Sequence, residues 1–231
     1  MGYDIRPDEG FAVICDGMGG HNGGKLASAL AVDLLVKTYT EVYPAHDMHE
    51  ILVDTVEEAD RKVAAITDDD GNRLHAGSTV AAAFIRGHIL HWVSVGDSRI
   101  YLFRNGELVQ ATEDHTYQLL LDERRASGEI GEEAYRTESQ KGEALISFLG
   151  VNGLPRISTN DTPFPLLQGD KVLMMSDGLY KLVSDEEIGR ILDNFSNIQD
   201  ALKALDLKAQ RAAKNSGIQR DNMTVVLIKI K

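Results

Sequence analysis

The chain has 231 residues, of which 43% are hydrophobic and 26% charged, and its 36 acidic against 24 basic residues give a net charge of -12. This acidic balance argues against a nucleic-acid backbone or an anionic membrane as the main partner. Cys15 is the single cysteine, so no internal disulfide can form and a reducing compartment is expected. No apolar run could span a bilayer and no signal peptide opens the chain, which together predict a cytoplasmic protein.

The first predicted element is a buried strand that ends in a carboxylate. After a short polar opening, five apolar residues from Phe11 to Cys15 run into Asp16, and glycines follow almost without interruption. Gly17 lets the backbone approach a ligand closely because it has no Cβ atom. An isolated Asp-Gly pair is more often an ordinary turn, so the significance of Asp16 depends on what the rest of the chain places beside it.

Two amphipathic helices are predicted next. The first begins at Gly23 with a stripe of Leu26, Leu30 and Leu34, with Ala27 and Ala31 beside it. The second has Asp47 as a candidate N-cap and an apolar face whose members are Leu52, Val56, Ala59, Val63 and Ile66. The acidic run Asp68-Asp69-Asp70 then predicts a solvated loop, because as a calcium loop it lacks the later ligand positions.

Hairpins follow, and they predict an antiparallel sheet. Strands over residues 79–85 and 89–95 flank the hairpin-like turn Arg86-Gly87-His88, and Asn105-Gly106 predicts a second tight turn. The polar, Glu- and Arg-rich segment from Thr112 to Phe148 predicts a small helical excursion that packs on the main body or moves over it. Farther along, Ser184 and Glu187 form a capping-box pattern, and a helix is predicted over 198–213 with an apolar stripe at Ile198, Leu202, Leu205 and Ala209.

Three further carboxylates, like Asp16, stand at an end of an apolar run. Asp97 follows the run 92–96, Asp177 follows 172–176, and Asp221 stands just before the run 223–230. Such residues can converge at one edge of a sheet, where unpaired carboxylates would repel one another. A hard divalent cation with oxygen ligands resolves this conflict, although four unrelated turns remain the alternative.

These motifs together resemble the metal-dependent protein Ser/Thr phosphatases of the PPM (type 2C) family, bacterial branch. Six matching stretches occur in the family's order over nearly the whole chain: Asp16-Gly17-Met18-Gly19-Gly20-His21, Gly77-Ser78-Thr79, Val95-Gly96-Asp97-Ser98-Arg99, Thr112-Glu113-Asp114-His115, Ser176-Asp177-Gly178-Leu179 and Asp221-Asn222-Met223-Thr224. The resemblance implies an α+β fold, a four-layer α-β-β-α sandwich with two central antiparallel sheets. It places the family's flap at the excursion 112–148 of a single domain.

The resemblance also implies a metal site and a reaction. Asp16 would bridge two Mn²⁺ or Mg²⁺ ions, the Gly17 carbonyl would bind the second, and Asp177 and Asp221 would complete the first. Asp97 with Asp177 would hold a weaker third ion. Water activated at the metal pair would hydrolyse phosphoserine and phosphothreonine on protein substrates without a covalent intermediate, with a Ser/Thr protein kinase as a possible partner.

Two departures from the family pattern bear on catalysis. Met18 stands where some members have a His proposed as general acid, so no acid is assigned, and His21 and His115 remain candidates. Nothing in residues 1–10 matches the family's first strand with its phosphate-binding Arg and its Asn-(Glu/Gln)-Asp triplet, because Arg6 and Asp8 lie too near Asp16. The domain is therefore expected to lack that strand, to leave a sheet edge unpaired and to be a poor catalyst.

Two other functions remain open at this stage. One is a regulatory binding module, a pseudophosphatase that keeps the fold with impaired catalysis, which the missing Arg favours. The other is a calcium-binding structural protein, for which only the run Asp68–Asp70 speaks.

Overall fold

Two antiparallel sheets form the centre of the computed structural model, which describes residues 1–6, 8–20, 22–42, 48–160, 162–217 and 221–231. Together with one short pair formed by the third and fourth, the strands are β1 (Gly2–Arg6), β2 (Glu9–Ile14), β3 (Gly17–Met18), β4 (Gly77–Ser78), β5 (Val80–Arg86), β6 (Ile89–Val95), β7 (Arg99–Arg104), β8 (Glu107–Gln110), β9 (Ser158–Thr159), β10 (Phe164–Pro165), β11 (Lys171–Met175) and β12 (Val225–Lys229). The first sheet has the order β1-β2-β5-β6-β10, with β9 also on β6, and the second has the order β12-β11-β7-β8.

Helices cover the outer face of each sheet. Within the described residues they are α1 (Gly23–Val42), α2 (Met48–Ala64), α3 (Tyr117–Ala126), α4 (Glu132–Glu138), α5 (Asp177–Tyr180), α6 (Asp185–Asn194) and α7 (Ile198–Ser216). Helices α1 and α2 pack on the first sheet, and α6 and α7 pack on the second. No described helix combines the length and the apolar character needed to cross a membrane.

The central strands are buried on both faces, and their side chains alternate between two cores. On β11, Val172 and Met174 point into the core between the sheets, whereas Leu173 and Met175 point toward α6 and α7. This period of two follows from the pleat of a β-strand. The predicted four-layer α-β-β-α sandwich is confirmed.

Both predicted hairpin turns are present. Gly87 and His88 have φ angles of 52° and 67°, and Asn105 and Gly106 have φ angles of 51° and 85°. Positive φ at both central residues is the geometry of the type I′ turn, which matches the twist of the adjoining strands.

The buried stripe of α1 differs from the predicted one. It is formed by Ala27, Ala31, Leu35 and Tyr39, whereas Leu26 is 47% exposed. The two alanines face the sheet, and the leucines at positions 30 and 34 flank this contact. The predicted stripe of α2 is confirmed for residues 52–63, and the proposed N-cap at Asp47 lies outside the described residues.

Strand β1 was not predicted. It pairs with β2 along its whole length, from Gly2 opposite Val13 to Arg6 opposite Glu9. Tyr3 lies opposite Ala12, a residue of the core between the sheets, so Tyr3 and Ile5 point to that same side. They are nevertheless 66% and 63% exposed. Among the described strands β12 is the edge of the second sheet, which therefore leaves this part of β1 uncovered.

The segment 112–148 is helical, as predicted. It contains α3, α4 and a 3₁₀ turn at Ser139–Lys141, and of its helical residues only Leu121 is buried. It contributes little to the three cores, which is consistent with an appendage on the sandwich. We refer to it below as the flap segment.

Candidate metal centre

The turn that carries Asp16 is held to the start of β5. The Asp16 N–H donates to Thr79 Oγ1 at 3.0 Å, and the Thr79 N–H donates to the Asp16 carbonyl at 2.9 Å. A Cβ atom on Gly17 would lie 2.0 Å from the carbonyl oxygen of Gly24 in α1. Only glycine therefore permits this turn, because any side chain would push Asp16 away from the helix.

Asp97 is joined to the same turn through two hydroxyl groups. The Thr79 hydroxyl forms a 2.7 Å hydrogen bond with that of Ser98, and both side chains are buried. The motifs that contain Asp16, Thr79 and Asp97 are thus parts of one hydrogen-bonded unit at the end of the first sheet.

Asp177 and Asp221 meet at the end of the second sheet. Ser176 and Thr224 exchange hydrogen bonds of 3.1 and 3.0 Å just beyond β11 and β12. A Cβ atom on Gly178 would lie 2.3 Å from the carbonyl oxygen of Asn222, so a glycine after Asp177 is needed for the two segments to approach.

Electrostatics show that the four predicted aspartates converge. The pKa of the Asp16 carboxyl is raised to about 6, first by burial, then by the charge of Asp177 and a hydrogen bond with it, and further by the charges of Asp221 and Asp97. Burial and the charge of Asp177 also raise the pKa of Asp97. Mutual repulsion of this kind arises when carboxylates share a site, and it is relieved by a bound cation.

The donor set fits a hard divalent cation, although the carboxylates do not form a closed cage. Within the described ranges, no three His, Cys, Asp or Glu side chains are arranged so that together they could hold a metal ion. Mutual repulsion keeps like-charged carboxylates apart, and Asp221 is exposed. Carboxylate oxygens suit Mn²⁺ and Mg²⁺.

Three residues that were not predicted as site residues surround Asp97 and Asp177. Lys181 Nζ lies 3.0 Å from Asp177 Oδ2, and the Tyr180 hydroxyl donates to Asp97 Oδ2 at 3.1 Å. The Arg99 guanidinium lies 3.6 Å from the centroid of the Tyr180 ring. The spacing of four residues between Asp177 and Lys181, one turn of helix, is the sequence signal that could have revealed the lysine.

His115 has contacts that do not suit a general acid. It is fully buried, its Nδ1 accepts the Gly96 N–H at 3.2 Å, and its Nε2 is 2.8 Å from the Ser158 hydroxyl. Nε2 therefore carries the proton and donates it to Ser158. Burial, followed by the charge of Arg156, lowers the pKa of His115 to about 4. The other candidate, His21, lies outside the described residues.

Neither of the arginines considered above is placed to grip a phosphate. Arg6 Nη2 contacts Asp4 at 3.0 Å, and the register of β1 puts it at the end of the strand remote from Asp16. Arg99 is bound by both oxygens of Asp114, with a shortest distance of 2.6 Å.

A cleft of about 710 Å³ lies between the aspartates and the flap segment. Its walls include Asp97, Arg99 and Lys181 on the sandwich, and Gln118 and Glu143 on the flap segment. One of the predicted metal ligands, Asp97, thus lines the cleft, and Lys181, which contacts Asp177, lies beside it.

An α-β-β-α sandwich that gathers aspartates where its two sheets end defines the class of metal-dependent protein phosphatases. The profile of the family described as "Protein phosphatase 2C" matches residues 3–214, and the chain belongs to this family. It is 31% identical over 230 residues to the serine/threonine phosphatase Stp of Listeria monocytogenes, which covers 98% of this chain and 87% of the relative.

Solved structures agree with this assignment. The serine/threonine phosphatase of S. agalactiae superposes with a TM-score of 0.81 at 26% identity, covering 96% of this chain and 88% of that one. The catalytic domain of the phosphatase PstP, solved in complex with two manganese ions, gives a TM-score of 0.74 at 26% identity over 100% of this chain and 91% of that one.

Proposed function

We propose that this chain hydrolyses phosphoserine and phosphothreonine on proteins with the help of a pair of Mn²⁺ or Mg²⁺ ions. The observation that carries the proposal is the convergence of Asp16, Asp97, Asp177 and Asp221, whose charges add to the effect of burial and raise the pKa of Asp16 to about 6. Membership of the protein phosphatase 2C family supports the same reaction.

Each aspartate has a distinct part in this proposal. Asp16 lies nearest the centre of the group and would contact both ions, together with the carbonyl of Gly17. Asp177 and Asp221 would hold the first ion from the second sheet. Bound there, the ions would acidify a water molecule and offset the charge of the phosphoryl oxygens. The hydrogen bonds of Thr79 hold the turn that carries Asp16, and those of Ser176 hold the segment beside Asp177.

The cleft beside Asp97 would receive the polypeptide around the phosphorylated residue. Part of its wall is the flap segment, so we propose that residues 112–148 influence which phosphoprotein is accepted. We further propose a cytoplasmic location and a Ser/Thr protein kinase as the opposing enzyme. The single cysteine supports the location, because one cysteine cannot form the internal disulfide that is common in secreted proteins.

A phosphothreonine peptide assay with and without Mn²⁺ tests this function. The chelator-treated protein should release no phosphate, and Mn²⁺ should restore release. Asp177→Asn should abolish both hydrolysis and tight Mn²⁺ uptake measured by calorimetry, whereas Asp200→Asn, at the exposed start of α7, should leave both unchanged.

The same assay separates the enzyme from a regulatory binding module. Mn²⁺ uptake without phosphate release from any phosphopeptide would favour the pseudophosphatase. The described residues supply a reason to test it, since neither Arg6 nor Arg99 is free to bind a phosphate.

A further inference from the structure

A positively charged side chain, that of Lys181, lies on the side of the aspartates that faces the flap segment. Lys181 Nζ lies 3.0 Å from Asp177 Oδ2 and 3.2 Å from Glu143 Oε2 of the flap segment. The charge of Lys181 also acts on Asp97. The ammonium group thus contacts two carboxylates, and a third, that of Asp97, lines the same cleft within reach of its charge.

The backbone fixes this ammonium group in place. Asp177 begins α5, and the Lys181 N–H donates to the Asp177 carbonyl at 3.1 Å, so the two side chains lie on the same side of one helical turn. A lysine four residues after an aspartate reaches its carboxylate with little loss of side-chain entropy. The contact between Lys181 and Asp177 therefore does not require a rearrangement of the flap segment.

Tyr180 contacts the Asp97 carboxylate, just as Lys181 contacts that of Asp177. Its hydroxyl donates to Asp97 Oδ2 at 3.1 Å, and its ring is stacked against Arg99, which both oxygens of Asp114 hold. Adjacent residues at the end of α5 thus supply a hydrogen bond to one carboxylate and a positive charge to the other.

We propose that the Lys181 ammonium group takes the place of a third divalent cation between Asp97 and Asp177, so that this site binds two metal ions and is joined to the flap segment through Glu143. The proposal rests on the proposed function for the other two ions. It differs from the expectation, given by the family resemblance, that Asp97 and Asp177 hold a weak third ion. An ammonium group and a divalent cation repel each other strongly at about 4 Å, so both cannot occupy this position.

Calorimetry of Mn²⁺ binding to the full chain tests the proposal. Wild type should take up two ions, and Lys181→Met, which keeps the length of the side chain without its charge, should take up one more with affinity raised at least about tenfold. Adding Asp97→Asn to Lys181→Met should remove the extra ion. Lys181→Arg should bind as wild type does, because it restores the charge.

Lys208→Met provides the matched control, because Lys208 pairs with Glu187 on α6, outside the cleft. It should leave the number of bound ions unchanged. Hydrogen exchange gives a readout that does not depend on metal: amides of residues 139–146 should exchange several-fold faster in Lys181→Met and in Glu143→Gln than in wild type or Lys208→Met.

The outcomes are distinguishable. Equal numbers of ions in wild type and Lys181→Met would overturn the proposal, as would three ions in wild type. If wild type binds no Mn²⁺ the proposed function fails, whereas an ion gained only by Lys181→Met would still support the role of Lys181.

Discussion

Arg99 and Asp114 form a two-pronged ion pair between the start of β7 and the flap segment. Arg99 Nε lies 3.0 and 3.1 Å from the two carboxylate oxygens of Asp114, and Nη2 lies 2.6 Å from one of them. Arg99 Nη1 also donates to the Tyr101 hydroxyl. The guanidinium is therefore occupied within the protein, and its part in the site is to orient Tyr180 and the flap segment.

We expect Asp114→Asn to destabilise the fold by about 2–3 kcal/mol, because the arginine loses a charge-assisted, paired contact. Urea unfolding followed by circular dichroism measures this change. Glu123→Gln is the control, since Glu123 pairs with Arg156 at the exposed surface, where ion pairs contribute at most about 1 kcal/mol. Equal effects of the two substitutions would show that the Arg99 pair is an ordinary surface contact.

Asp97→Ala should lower kcat by about 10- to 100-fold while leaving the tight Mn²⁺ sites intact. Of the three charges that act on Asp16, that of Asp97 is the weakest, and Asp97 receives its hydrogen bond from Tyr180 rather than from the Asp16 turn. Tyr180→Phe should cause part of the same loss. Stopped assays combined with calorimetry separate rate from affinity, and a variant without any bound Mn²⁺ would place Asp97 among the main ligands.

His115 should make the folded state sensitive to acid. Its folded pKa is about 4, below the ordinary value of 6.5, so the unfolded chain binds the proton first as the pH falls. The neutral His115 imidazole contributes about 2–4 kcal/mol to the free energy of unfolding. This contribution is present in full above pH 6.5 and is lost as the pH falls from 6.5 to 4.

Urea unfolding of wild type and His115→Gln at several pH values tests this expectation. The difference in stability between the two proteins should shrink as the pH falls through that window. A constant difference would mean that the pKa of His115 is the same in the folded and unfolded states, which would contradict the expectation. A pH–rate profile that loses its alkaline limb in His115→Gln would instead identify His115 as a proton donor.

Asp60 on α2 should be essential to the turn that follows the flap segment. Its buried carboxylate accepts the N–H groups of Gly150, Asn152 and Gly153 at 2.7, 3.1 and 2.6 Å. Asp60→Asn would turn one acceptor into a donor that faces an N–H, which should cost about 2–3 kcal/mol. Thermal unfolding measures the loss. Glu57→Gln, exposed on the same helix, should change little, and an equally small effect at Asp60 would contradict the assignment.

The sequence predicted the four layers through the family resemblance and the hairpin turns through local signals, whereas the metal-binding role of the aspartates stays a prediction. A two-residue hairpin turn such as Asn105-Gly106 needs particular φ angles, and a metal-binding carboxylate at a strand end stands beside a glycine. The positions of Lys181 and Tyr180 were missed, because a lysine after Asp-Gly-Leu-Tyr is as consistent with a solvated helix end. The roles of these two residues depend on contacts with Asp97 and Glu143, which are distant in the sequence and are brought close only by the fold.

Helix α1 and strand β1 illustrate a second kind of miss. Leucine is more hydrophobic than alanine on any scale, so the leucines at 26, 30 and 34 were predicted to form the buried stripe. Ala27 and Ala31 are nevertheless the residues that face the sheet. Close contact between a helix and a sheet favours small side chains, which periodicity alone does not reveal. In β1, the alternation of Tyr3 and Ile5 with Asp4 and Arg6 was a strand signal that the shortness of the segment obscured.

The uncovered part of β1 leaves an exposed apolar surface beside an unpaired strand edge. Tyr3 and Ile5 stand exposed beside β12, whose outer hydrogen-bonding groups face no neighbouring strand in the described part of the second sheet. A free strand edge next to apolar side chains invites an extended polypeptide to add itself to the sheet. In concentrated solution we expect a second copy of this chain to be able to pair at this edge, so the concentration at which assays remain interpretable depends on β1 and β12.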